Sequence, residues 1–156
     1  MKTELKFGGE MLVGKRKGRR PLCTKRPIHL VLRAKEHRLK ANEGYIRLAI
    51  SRAAKRWGIR IYQWAIVSDH IHLLVRIPTR SAYKFFVQRI CGVIALKLKI
   101  NWLVRPFTRI VAWGLGFKRA KNYIEMNFFE AEGFIPHQAR GKGATKVRPW
   151  YSNATI

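Results

Sequence analysis

Apolar and polar positions alternate from Pro27 to Arg33. Ile28, Leu30 and Leu32 fall on one face and His29, Val31 and Arg33 on the other, the two-residue period of a strand. After Asn42 the period lengthens: Ile46, Ala49, Ile50, Ala53 and Trp57 recur at helical spacing, which predicts a helix capped by Asn42 and ended by Gly58. Residues 59–67 are rich in β-branched and aromatic side chains and read as a second strand. Ser68-Asp69 makes a tight connection, and residues 70–77 return as a third strand, giving an antiparallel hairpin. Beyond Pro78 and Thr79 a helix is expected over residues 81–99, burying Phe85, Phe86, Ile90, Val93, Ile94 and Leu98. A short fourth strand over 107–113 and a last helix over 117–132, with Phe117, Ala120, Ile124 and Phe128 as its core stripe and Gly133 as its stop, complete the pattern.

Strand, helix, strand, strand, helix, strand is the order of a split βαβ unit. It predicts an α+β, ferredoxin-like (RRM-like) domain: a four-stranded antiparallel sheet with helices on one face, plus the additional C-terminal helix. The expected organisation is a basic N-terminal arm over 1–26, one domain over 27–135 and a basic C-terminal tail over 136–156.

Charge narrows the partner. Thirty-three Lys and Arg face 8 Asp and Glu, a net charge of +25, and a folded domain this basic repels itself unless a polyanion is near. Nucleic acid is the expected partner, because neutralised phosphates release counterions. Basic residues occur in every segment rather than on one amphipathic helix, which argues against a membrane surface. The run Lys15-Arg16-Lys17-Gly18-Arg19-Arg20-Pro21 reads as an arm unstructured when free, with Arg16, Lys17, Arg19 and Arg20 as candidate DNA contacts; Arg33 is a further candidate. Neither an apolar leader nor a membrane-length apolar run is visible, so a cytoplasmic protein is expected. Cys23 and Cys91 lack C-x-x-C spacing and read as reduced, incidental thiols.

Two segments carry candidate chemistry. His70 and His72 share one face of the third strand, about 7 Å apart by strand rise. A pair so placed can hold one divalent metal or hydrogen-bond one phosphate, or can be two unrelated strand histidines. On the last helix Arg119, Tyr123 and Asn127 stand four apart on one face. They bring together a guanidinium suited to phosphate, a hydroxyl capable of nucleophilic attack and an amide able to ligate a metal. His29 is read as packing or phosphate contact, and Asp69 as a turn residue that can also orient an imidazole.

His70-Ile71-His72 before Leu73-Leu74-Val75, followed downstream by Tyr123-Ile124-x-x-Asn127, resembles the single-tyrosine HUH endonucleases. Among these it is most similar to the REP-associated tyrosine transposases and their insertion-sequence relatives. The similarity runs from about residue 27 to 133 and includes Arg105-Pro106-Phe107. It departs where many members follow the helix asparagine with proline, since Phe128 stands there. The resemblance implies a transposase that nicks and rejoins single-stranded DNA, at hairpin-forming sites, through a 5′-phosphotyrosine on Tyr123. It implies Mg²⁺ or Mn²⁺ held by His70, His72 and Asn127, and a catalytic role for the last helix. Relatives include monomers and dimers, and the sequence does not choose between them. The rival readings are a non-catalytic nucleic-acid-binding module and an inactive relic of such a transposase.

Overall fold

The computed structural model describes residues 5–15 and 18–136. The expected elements form in the expected order: β2 (Ile28–Arg33), α1 (Glu43–Trp57), β3 (Arg60–Ile66), β4 (His70–Arg76), α2 (Arg80–Leu98), β5 (Phe107–Ile110) and α3 (Leu115–Ala131). One further strand, β1 (Lys6–Phe7), precedes them. The sheet therefore has five strands rather than four, in the order β1-β5-β2-β4-β3, and every neighbouring pair is antiparallel.

Parity along the strands creates two unequal cores. Ile28, Leu30 and Leu32 of β2 and Ile71, Leu73 and Val75 of β4 face α1 and α2. There they meet Ile46, Ile50, Phe86, Ile90 and Ile94, all fully buried. The opposite face is covered by α3, whose Ala120 and Ile124 pack on Ala65, Leu74 and Val111, flanked by Tyr62, Phe117 and Phe128. Tyr62 and Ala65 are three positions apart, so a regular strand would split them between faces. A register shift between Ile61 and Gln63 restores the match and turns Tyr62 toward α3.

Local signals behave unevenly. Gly58 ends α1 in the left-handed region at φ 64°, as its position predicts. Asn42 precedes α1 as expected, but its side chain donates to the Arg38 carbonyl (2.9 Å) and caps nothing; the capping side chain is Thr79, which accepts from the Ala82 N–H (3.0 Å) at the start of α2. Phe85 is 48% exposed, contrary to expectation, because the buried line of α2 runs through Ala82, Tyr83, Phe86, Ile90 and Ile94. A residue beside Phe86 is turned about 100° away by the helical pitch, and Phe85 instead stacks on Trp57. β5 ends at Ile110, short of Trp113, whose indole N–H donates to the Lys25 carbonyl (2.9 Å). Cys23 and Cys91 are free thiols, and among the described residues no helix is long and apolar enough to cross a membrane.

The N-terminal arm, ahead of the charge run expected to be unstructured when free, adds a strand the sequence does not announce. Lys6 and Phe7 pair with Arg109 and Thr108 along β5. Arg20 fastens them: its guanidinium donates to Thr108 Oγ1 (2.8 Å) and the Phe7 carbonyl (3.3 Å) and lies over the Phe7 ring. A short 3-10 turn, Gly9–Leu12, follows. Gly8 makes the close approach possible, with φ 91° and an absent Cβ that would sit 2.1 Å from the Pro106 carbonyl oxygen. Gly8→Ala should therefore cost about 1–3 kcal/mol of stability and loosen the arm. Urea denaturation, with limited proteolysis directed at the first strand, checks both effects.

Candidate active site

The two faces of β4 do different work, and the histidines lie on the face that α3 partly covers. β2 and β4 pair with Val31 opposite His72, Arg33 opposite His70 and His29 opposite Leu74. That register makes His29 and His72 diagonal neighbours on one face. His29 Nε2 and His72 Nδ1 stand 3.1 Å apart, with both side chains buried, 5% and 4% exposed. The His70 ring meets the His72 ring edge to face, centroids 4.6 Å apart. The two rings are thus closer than the strand rise alone suggests, because they lean toward one another above the pleat.

His70 is fixed from its other side. Its Nδ1 lies 2.6 Å from Asp69 Oδ1, and Arg33 Nε stands 3.6 Å from Asp69 Oδ2. Burial works to raise the Asp69 pKa, but the hydrogen bond from His70 and the charges of His70 and Arg33 outweigh it, so the carboxyl lies below its ordinary value. Arg33 Nη1 also reaches Glu10 Oε1 (3.0 Å), linking the N-terminal turn to the same network. The Asp69 backbone carbonyl accepts from the Ala34 N–H (2.7 Å), so the residue serves the turn as well as the imidazole.

α3 completes the cleft. The Tyr123 ring stands edge-on to His72 (5.6 Å between centroids) and to His29 (5.9 Å), and the residue is 37% exposed. Asn127, one turn on, is buried, and its Nδ2 donates to the Tyr123 carbonyl (2.7 Å). At Phe128 the helix continues, running on to Ala131, and the Phe128 ring packs under Arg47 and Lys40. Lys40 bonds both Glu43 at the start of α1 and Glu132 just past α3, tying the end of α3 to the helical layer across the sheet. The resulting cleft, about 600 Å³, is walled by the Gly8–Met11 turn, His29, Val31 and Arg33, Asp69, His70 and His72, Phe107, and Tyr123 with Asn127.

The sequence-derived candidates separate. His70, His72, Tyr123 and Asn127 all line this cleft. Arg33 lines it too, but its guanidinium is engaged by two carboxylates. Arg20 is spent on the arm, and burial lowers its pKa. Arg19 and Arg119 are exposed and stand outside the cleft walls. Arg16, Lys17 and the tail from 137 onward lie outside the described residues. Sequence reasoning underrated His29, placed as packing or phosphate contact, although its parity with Arg33 carried a signal. What was missing was the strand register that sets it beside His72.

Among the described residues no three His, Cys, Asp or Glu side chains come together to hold an ion. A divalent cation here would take two imidazoles and an amide oxygen. The donor set fits one moderately: each imidazole has its Nδ1 engaged within the protein, so that Nε2 would be the atom to ligate, with that of His72 lying buried.

Comparison with known proteins agrees with this picture. Residues 23–125 match the family model described as "Transposase IS200 like", a span that includes His29, His70, His72 and Tyr123 and ends before Asn127. A solved REP-associated tyrosine transposase bound to a REP hairpin superposes with a TM-score of 0.60 at 16% identity, covering 77% of this chain and 76% of that one. No curated protein matches by sequence. The chain belongs to the IS200-like transposase family.

Burial, then the positive charge of Arg109, depress the His29 pKa from 6.5 to about 3. The sign follows: the unfolded chain binds this proton below about 6.5 and the folded chain does not, so stability is complete above that pH and is lost as pH falls toward 3. Denaturant titrations at stepped pH should show His29 contributing a slope of about 1.4 kcal/mol per pH unit, absent in His29→Gln.

Proposed function

We propose that this protein nicks and rejoins single-stranded DNA at hairpin-forming sites, with Tyr123 as the nucleophile and Mg²⁺ or Mn²⁺ as the cofactor. The observation that carries the reading is the Tyr123 ring poised against His72 at the mouth of the cleft that His70 and Asn127 also line. The hairpin in the structurally similar transposase supports the choice of substrate.

The chemistry divides among the chain's own residues. The Tyr123 oxygen attacks the scissile phosphorus, losing its proton as the O–P bond forms. The P–O3′ bond breaks, and the 3′ oxygen takes up a proton to leave as a free hydroxyl. Phosphodiester energy is conserved in the tyrosyl phosphate, so attack by a 3′-hydroxyl on the same phosphorus restores a DNA linkage and returns the phenol. His70, His72 and Asn127 would hold the divalent ion, which when bound supplies Lewis-acid neutralisation of the phosphate oxygens. Asp69, accepting from His70 Nδ1, directs that imidazole's Nε2 into the cleft. The Gly8–Met11 turn forms one wall of the cleft.

Phosphate contacts outside the cleft are assigned to the exposed Arg19 and Arg119, with Arg16, Lys17 and the basic tail as further contributors. Replacing Arg119 by Ala should weaken hairpin binding across sequences and reduce the salt slope by about 1. Fluorescence titrations at several salt concentrations measure it; an unchanged slope removes Arg119 from the interface.

Incubating the protein with hairpin-flanked single-stranded DNA and Mg²⁺ or Mn²⁺ should give a covalent protein–DNA adduct that survives denaturing electrophoresis. Tyr123→Phe should abolish it while leaving hairpin binding within a few-fold. Binding by the parent without adduct, in both metals, would favour the non-catalytic relic instead.

A further inference from the structure

We infer that His29 is a positioning residue whose Nε2 accepts the Nδ1 proton of His72 and so fixes His72 in the tautomer that keeps a lone pair on its Nε2. The inference rests on the nuclease reading for its direction, because a cation ligand needs that lone pair.

The geometry leaves little freedom. The 3.1 Å separation between His29 Nε2 and His72 Nδ1 is a hydrogen bond, and both side chains are buried, so water does not stand in for either partner. A neutral imidazole carries one N–H. In this bond, therefore, one ring donates and the other accepts, and the choice settles what His72 shows at its far nitrogen. If His72 donates from Nδ1, its Nε2 is a ligand. If His29 donates, His72 Nε2 is an N–H, able to bind a phosphate oxygen but not a cation.

His70 provides the comparison within the same strand. Its Nδ1 faces the Asp69 carboxylate (2.6 Å), which only accepts, so Nδ1 must carry the proton. The two histidines of one motif are thus backed by unlike acceptors, a carboxylate for the half-exposed ring and a neutral imidazole for the buried one. A second carboxylate in the His29 position would bring a further ionised group into the interior beside Arg109, at heavy desolvation cost. An imidazole supplies the acceptor without that charge. The two rings lie edge to edge with their planes at 26° and centroids 5.3 Å apart, the arrangement of a hydrogen bond close to both ring planes. The backbone holds the arrangement, since β2 pairs with β4 without interruption from Ile28 to Arg33.

The test reads the proton directly. Long-range proton–nitrogen correlation spectra of the nitrogen-labelled, metal-free protein report the tautomer of each histidine, with His72→Gln identifying the His72 signals. The parent should show His72 protonated on Nδ1. His29→Gln, whose side-chain oxygen can accept the same proton, should keep that tautomer and keep Mn²⁺ affinity within a few-fold. His29→Leu should shift His72 toward the Nε2-protonated form and weaken Mn²⁺ binding by about 10- to 100-fold, measured calorimetrically with Mn²⁺ alone. Should His29→Leu fail to fold, the parent and His29→Gln spectra decide. His72 protonated on Nε2 in the parent overturns the inference, as does an unchanged tautomer and Mn²⁺ affinity in a folded His29→Leu. Neither readout needs DNA cleavage, so a parent with the Nδ1 tautomer but no covalent adduct would sink the nuclease reading alone.

Discussion

A strand sends successive side chains to opposite faces, and β4 lies between two partners that hold its parity in place. On one side β2 pairs with it along six residues; on the other β3 does so with a single irregularity. Ile71, Leu73 and Val75 are fully buried beneath α1 and α2, so a slip of one residue would drive three aliphatic side chains out of the main core and carry the histidines toward it. The same constraint carries His70, His72 and Leu74 to the other face, where α3 packs on Leu74. Hydrophobic burial on one side of the strand thus sets the histidine geometry on the other. The site inherits the rigidity of a core to which it contributes nothing.

The tyrosine reaches the histidines by a different route. α3 meets the sheet through a small apolar cluster centred on Ala120 and Ile124, against Ala65, Leu74 and Val111. Ile124 follows Tyr123 directly, so the residue that anchors the helix and the residue exposed to the cleft are adjacent on its surface, about 100° apart. Ala120, three positions before Tyr123, permits close approach to the strands. The Lys40 bridge to Glu43 and Glu132 joins the helix end to α1 around the sheet edge. Placement of Tyr123 therefore depends on packing and ion pairs rather than on sheet register, and the two halves of the cleft are positioned by separable means.

That separation explains what was legible in the sequence. Period-two and period-3.6 patterns are local, and the order of elements, the strand parity of His70 and His72 and the helical face of Tyr123 and Asn127 all follow from them. Long-range register is not local. Nothing in the neighbourhood of His29 says that Val31 will face His72, which is the fact that brings His29 Nε2 to His72 Nδ1. The docking of the arm was equally hidden: Lys6-Phe7 is too short to show a period, and its pairing rests on Arg20, Thr108 and the close approach at Gly8. Phe85 failed for a plainer reason, since an aromatic beside a buried aromatic satisfies a loose helical stripe while lying outside the true one.

Charge gives the last link between fold and site. With 33 basic and 8 acidic residues, most cations in this chain have no carboxylate to meet. Yet two carboxylates, Glu10 and Asp69, converge on Arg33 beside the cleft. In a protein repelling itself at +25, the acids are placed where orientation matters: Asp69 directs His70, and Glu10 ties the arm to β2. Arg33 is shared between them and is worth more as the pivot of that network than as a free phosphate contact, because its partly exposed guanidinium holds Asp69 from the side opposite His70. The surplus of unpaired cations elsewhere supplies non-specific attraction to phosphate. The charges that build the site are thereby distinct from the surplus that gives the chain its net charge.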